Sequence, residues 1–166
     1  MQISDHSPVF IFPFTQSQNT VQMENILASV NQFLSQWQSH GAPMRAKAWF
    51  EESRFLVVTV DADLTSPSGC SKDKLYHFIG NLAKEHEYSL ESPTKFFVKK
   101  EEVISVLTRA ELKEAWTSGQ LNPDNQLFSV WVDTFGQFRT DWKSNLSRFL
   151  SVLKLPSQPD AIERNF

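Results

Sequence analysis

The stretch Phe55-Leu-Val-Val-Thr-Val60 constrains this chain more than any other. Six residues, five of them apolar and most of them β-branched or aromatic, read as a central strand covered on both faces. Asp61-Ala-Asp63 follows, then a polar loop closing with Ser68-Gly69-Cys70-Ser71, then a helical pattern from Lys72. Leu75, Phe78, Ile79, Leu82 and His86 fall on one face of that helix. Ser71 is its expected N-cap, with Asp73 favourably placed in the first turn.

The segments on either side fit the same sheet. Val9-Phe-Ile-Phe12 is a short apolar run expected as a buried strand, ended by Pro13, which has no N–H to donate. After the polar loop Thr15–Asn19, the residues Met23, Ile26, Leu27, Val30, Phe33, Leu34 and Trp37 recur at helical steps. Asn19 and Gln22 form a capping box, Thr20 is a competing cap, and Gly41 and Pro43 are expected to stop the helix. Met44, Ala46, Ala48 and Phe50 alternate with Arg45, Lys47 and Trp49, the period of a half-buried strand. Glu51-Glu-Ser53 is then a hairpin tip. Thr94–Lys99 is a further strand.

The order strand, helix, strand, strand, helix, strand predicts an α+β fold. Its core would be a ferredoxin-like βαββαβ unit, an antiparallel sheet with two helices on one face. In the expected arrangement the first and third strands are central, parallel neighbours. Residues 8–100 would form this core and residues 101–155 a C-terminal α/β extension, together one domain, with 156–166 a loose tail. The extension would hold a strand at Val103–Leu107 and a helix opened by the capping box Thr108-Arg-Ala-Glu111. A strand at Leu127–Val132, a turn at Thr134–Gln137 and a last amphipathic helix over Trp142–Leu153 would complete it.

Composition excludes several function classes. The net charge of −3 gives no electrostatic reason to expect nucleic acid or a membrane surface as partner. The N-terminal Met-Gln-Ile-Ser-Asp lacks the basic region of a signal peptide, and Val9–Phe14 is too short to span a bilayer. The single cysteine cannot form an internal disulfide, which suits a reducing, cytoplasmic location. None of the five glycines sits in a Walker A loop or a dinucleotide fingerprint. No cofactor is expected.

Three features are candidates for chemistry. Cys70 lies where helix N–H groups would favour a thiolate, so it is the candidate nucleophile; the competing reading is a small packing residue beside a turn at Gly69. A thiol nucleophile needs a base. His77 is seven residues on, about 10 Å along the helix axis, and His86 is farther. His6 or His40 would have to come from elsewhere in the fold. Asp61 and Asp63 could lend carboxylates to Mg²⁺, but Asp residues at strand ends also serve turns, and no metal site is assigned.

The third candidate is an edge formed by two loops. In the expected fold the loops after the first and third strands lie side by side, both opening helices. Gln16, Ser17, Asp61, Asp63, Ser68, Gly69 and Ser71 would then surround a small anionic ligand. A homodimer or protein partner is the alternative, with Trp49 on the polar face of its strand as the contact, unless the C-terminal extension covers it.

The chain also resembles a family of small uncharacterised bacterial proteins often labelled "ABC transporter ATPase". The resemblance rests on Gln16-Ser17, on Gln36-Trp37 followed by His40-Gly41, and on Phe55-x-Val57-x-x-Val60-Asp61 leading to Ser68-Gly69-Cys70-Ser71. Leu112–Gly136 fits it as well, whereas Asp141–Leu150 departs from the family's Trp- and His-containing ending. The label implies ATP hydrolysis. This chain has no phosphate-cradling Walker A loop, so the resemblance implies kinship without that activity. The expectation is therefore a non-catalytic or small-ligand-binding protein. A cysteine-dependent enzyme using Cys70 is the alternative.

Overall fold

The computed structural model describes residues 3–158. In chain order the elements are β1 (Val9–Pro13), α1 (Thr20–Ser35), β2 (Gln38–Ser39), β3 (Ala42–Pro43), β4 (Ala46–Glu51), β5 (Phe55–Val60) and α2 (Gly69–Glu85). There follow β6 (Phe96–Lys100), β7 (Val103–Leu107), α3 (Arg109–Thr117), β8 (Gln126–Phe128), α4 (Phe135–Asp141), β9 (Lys143–Asn145), a 3₁₀ turn (Leu146–Phe149) and α5 (Leu150–Leu153). The fold is α+β with antiparallel sheets. No helix among the described residues is long and apolar enough to cross a membrane.

The chain forms two compact units. One comprises the residues up to Pro93 together with Val130–Asp141, the other Thr94–Ser129 with the residues from Trp142 on. The boundary therefore falls at Thr94, not near 101, and part of the expected extension returns to the first unit. That return is built on the backbone: Pro8 bridges Thr134, and the Val9 N–H donates to the Asp133 carbonyl at 2.9 Å.

The first unit is a three-stranded sheet in the order β1-β5-β4. β5 lies at its centre with all six residues buried, as the apolar run requires. Phe10 and Phe12 of β1, Phe14 just after it, and Leu56, Val58 and Val60 of β5 face Ile26, Val30 and Leu34 of α1 and Leu75, Ile79 and Leu82 of α2 in one core. Both helices thus cover one sheet face. On β4, Trp49 meets Phe138 of α4 edge-on at 5.6 Å, and its Nε1 donates to Glu51 Oε1 at 2.9 Å. It is therefore packed within the unit, beneath a segment from the chain's C-terminal third.

One expectation about this sheet is corrected. β1 and β5 are antiparallel, with Val9 opposite Thr59 and Pro13 opposite Phe55. The reason is in the connections. The tight turn at Glu52 and Ser53, both at positive φ, makes β5 antiparallel to β4. α1 carries the chain back so that β4 runs parallel to β1. A strand inserted between two parallel strands by a hairpin must oppose both.

The second unit is the four-stranded antiparallel sheet β7-β6-β8-β9. Its own core joins Phe96, Val98, Leu127 and Leu146 to Leu112 and Trp116 of α3. β6 was expected in the first sheet and instead lies here. The short Glu101-Glu102 turn delivers β7 to one edge of β6, and β8 takes the other, so β6 has no free edge.

Three local expectations also change. α1 ends at Ser35, and Gly41, at φ 82°, belongs to the turn between β2 and β3. Thr134–Gln137 opens α4 instead of forming an isolated turn: the Gln137 N–H donates to Thr134 Oγ1, and Gln137 Oε1 accepts from the Asp133 N–H. Gly136 packs closely there: a Cβ would lie 3.1 Å from the Asp5 carbonyl oxygen, so a larger residue would push the Asp5 backbone back by a few tenths of an ångström. The single helix expected over Trp142–Leu153 is broken into β9, the 3₁₀ turn and α5. Of the tail, Pro156 accepts a hydrogen bond from Trp116 Nε1 at 2.7 Å, Gln158 donates to two carbonyls of the second unit, and residues 159–166 lie outside the described residues.

Candidate functional site

The antiparallel register separates the two loops expected to form one edge. The loop after β1 leaves where β5 begins, and the loop after β5 leaves where β1 begins. They lie at opposite ends of a five-residue strand, about 16 Å apart. Gln16 and Ser17 are thus not brought to Asp61, Asp63, Ser68, Gly69 and Ser71.

At the second loop the polar groups are engaged in local structure. Asp61 is 6% exposed, and its Oδ1 accepts the Asp63 N–H at 3.2 Å, an Asx turn. Asp63 pairs with His6 Nε2 at 2.9 Å, both well exposed. Such exposed pairs contribute little to stability. Among the described residues no group of three or more His, Cys, Asp or Glu side chains is placed to hold a metal ion.

The helix that follows begins one turn earlier than expected. Ser68 is the N-cap of α2, its Oγ accepting the Ser71 N–H at 3.2 Å. Ser71 is buried inside the first turn, its Oγ donating to the Ser68 carbonyl at 2.8 Å and its carbonyl accepting from Trp37 Nε1 at 2.9 Å. The Ser68 N–H in turn donates to Ser39 Oγ on the β2–β3 hairpin at 3.1 Å. Gly69 has ordinary helical geometry, and a Cβ there would touch nothing within 4 Å, so no tight turn requires glycine. Cys70 is an exposed free thiol in the first helical turn. The motif Ser-Gly-Cys-Ser is, in this fold, a helix start locked to the hairpin.

The loop after β1 has a different character. It is tied down by the Thr15 N–H to the Ser89 carbonyl (2.8 Å), Arg54 Nη2 to the Thr15 carbonyl (3.0 Å) and the Gln18 N–H to the Ser53 carbonyl (2.7 Å). Thr15–Gln18 and Gln22 on one side and His86–Ser89 on the other enclose a cleft of about 380 Å³. Gln18 is 8% exposed. Its Nε2 donates to the Gln16 carbonyl at 2.8 Å, but its Oε1 has no hydrogen-bond partner among the described residues. A buried acceptor left this way costs about 1–3 kcal/mol. Next to it, the capping box of α1 uses the N–H groups of Asn19 and Gln22 and leaves those of Thr20 and Val21 without a side-chain cap.

Gln16 and Ser17 therefore belong to a site whose other wall the sequence reading missed. His86–Ser89 follow α2, where Glu87 turns the chain at φ 56°. A glycine would have flagged that turn; a glutamate does not. The comparisons add no relative: no protein-family profile, no curated protein and no solved structure matches the chain.

Proposed function

We propose that this protein is a non-catalytic binding protein for a small polar molecule, and that the molecule sits in the cleft between Thr15–Gln18 and His86–Ser89. The observation that carries the reading is the buried Gln18 Oε1, lacking a donor at the edge of a cleft lined by polar groups. The first turn of α1 favours an anionic group, whereas Gln18 Oε1 and the Glu87 carboxylate favour a donor or a cation. A small zwitterion or hydroxy acid satisfies both ends; inorganic phosphate, repelled by Glu87, satisfies one. Calorimetric titration with L-serine, acetate and phosphate tests this. L-serine is expected to bind most tightly, and Gln18→Met to weaken it about ten-fold, the loss of one charge-assisted or buried hydrogen bond. Equal or absent binding of all three contradicts the reading.

The nucleophile reading of Cys70 has less support, because no hydrogen bond reaches its sulfur among the described residues. An exposed thiol without a disulfide partner supports the cytoplasmic assignment. The order β1-β5-β4, with α1 linking β1 to β4, supports a finer fold assignment too: it matches the first three of the four strands of a ferredoxin-like sheet. Kinship with the small bacterial family rests on Gln16-Ser17, Gln36-Trp37, Phe55–Ser71 and Leu112–Gly136, with Ser68-Gly69-Cys70-Ser71 the most specific part, and is part of this proposal.

A further inference from the structure

The outer edge of β1 is the place where a ferredoxin-like sheet would carry a fourth strand, and here it is only partly filled. Two segments begin to pair with it from opposite ends and then leave. Leu90 bridges Phe14, with the Glu91 N–H donating to the Pro13 carbonyl at 2.8 Å. At the other end Thr134 bridges Pro8, and the Val9 N–H is taken by Asp133. Both bridges are antiparallel. Between them the strand alternation is unambiguous. Val9 and Pro13 point their backbone groups outward, so the N–H and C=O of Ile11 do so as well, and the even residues bond to β5. Among the described residues β5 is the only strand paired along β1. Along about 13 Å of edge, from Val9 to Pro13, the Ile11 N–H, Ile11 C=O and Val9 C=O have no hydrogen-bond partner among the described residues.

These groups floor a cavity of about 260 Å³. Leu90 and Pro93 line one part of it, Val130 and Val132 another, and Tyr76 of α2 a third. The Tyr76 ring meets Phe10 and Phe12 edge-on at 6.1 and 5.3 Å, so it stands on the helix side of the slot. Two carboxylates and no basic side chain complete the lining, Glu91 and Asp133. Glu91 already acts on Arg54: burial pulls that guanidinium's pKa down and Glu91 pushes it back up. Asp133 has no salt bridge among the described residues. Its field reaches Tyr76, whose phenol pKa is raised first by burial and then by this carboxylate.

We propose that this slot is a docking site for a short extended peptide, which adds as an antiparallel strand to β1 between the Leu90 and Thr134 bridges. The inference goes beyond the small-molecule reading and concerns a different surface. The residue opposite Ile11 exchanges both backbone hydrogen bonds with it, apolar side chains fill the space by Val130, Val132 and Leu90, and a lysine or arginine pairs with Asp133. An acidic partner is disfavoured by the two carboxylates.

The probe is a capped, fluorescein-labelled peptide Lys-Val-Ile-Val-Lys, followed by fluorescence anisotropy on the full chain, with amide shifts mapped by NMR. It is expected to bind, with the largest shift at the Ile11 amide. The same peptide N-methylated at its central residue, which cannot donate to the Ile11 carbonyl, is expected to bind at least about ten-fold more weakly. Exchanging both lysines for glutamates is expected to weaken binding and reverse the sign of its salt dependence, and Asp133→Asn in the protein, which leaves Glu91, to weaken binding and reduce that dependence. Equal binding of the methylated peptide overturns the proposal, as do shifts that avoid β1. Self-association of the protein with its largest shift at the Ile11 amide, from which the peptide is excluded, assigns the slot to a second copy and overturns it as well.

Discussion

Ser68 and Cys70 stand two residues apart and have opposite roles. The Ser68 hydroxyl accepts the Ser71 N–H and its own N–H holds the β2–β3 hairpin, so Ser68→Ala is expected to cost about 1 kcal/mol in chemical unfolding. Cys70 is exposed and caps nothing. Cys70→Ser is expected to change stability by less than about 0.5 kcal/mol, and one thiol should react with DTNB in the native protein without denaturant. The motif thus draws attention to its cysteine, while its serines hold the structure. Gln18 is the reverse case. Nothing in its sequence context marks it, because a glutamine in a polar loop is ordinary. Only the tertiary contacts that seal its Oε1 from partners make it informative.

At the scale of elements, the two capping boxes are legible because donor and acceptor are close in sequence, whereas α2 is capped by Ser68 and not by the expected Ser71. The boxes Asn19–Gln22 and Thr108–Glu111 both form as read. The second has a pH signature. Hydrogen bonds from Thr108, backbone first and then side chain, hold the Glu111 carboxyl below the usual glutamate range. Its contribution is therefore fully present above the ordinary glutamate pKa and is lost as pH falls through the lower folded-state value. The protection factors of the α3 amides, taken relative to intrinsic exchange at each pH, should fall across that acidic window, and Glu111→Gln, which keeps the box, should flatten the dependence. Thr108→Ala should cost about 1 kcal/mol at neutral pH. Pairing between distant strands was harder to read. The apolar run of β5 announced a central strand, but its direction against β1 follows from the hairpin and helix that deliver it. That geometric step decides whether the loops after β1 and β5 meet. Likewise β6 has no local mark telling it to join β7 and β8; the short Glu101-Glu102 turn makes the nearer partner available first.

At the scale of the whole molecule the described residues form two cores, one around β5 and the two long helices, the other around β6, β8 and α3. Leu56 and Leu146 are fully buried, one in each. Leu56→Ala and Leu146→Ala are each expected to cost about 2–5 kcal/mol. Native-state hydrogen exchange should place the loss in the matching unit: Leu56→Ala in β1, β4 and β5, Leu146→Ala in β6 and β8. Uniform loss across both sheets in both variants would contradict two separate cores. In the first unit, the end of β1 carries the cleft and the start of β1 carries the Asp61–Ser71 loop, so ligand binding at one end leaves the other undisturbed. Backbone amide shifts during a titration with L-serine test that claim most directly. The account predicts shifts in Gln16, Ser17, Gln18 and His86–Ser89, with Ser68–Ser71 unmoved. Shifts centred on Ser68–Ser71, or moving together in both loops, would contradict it.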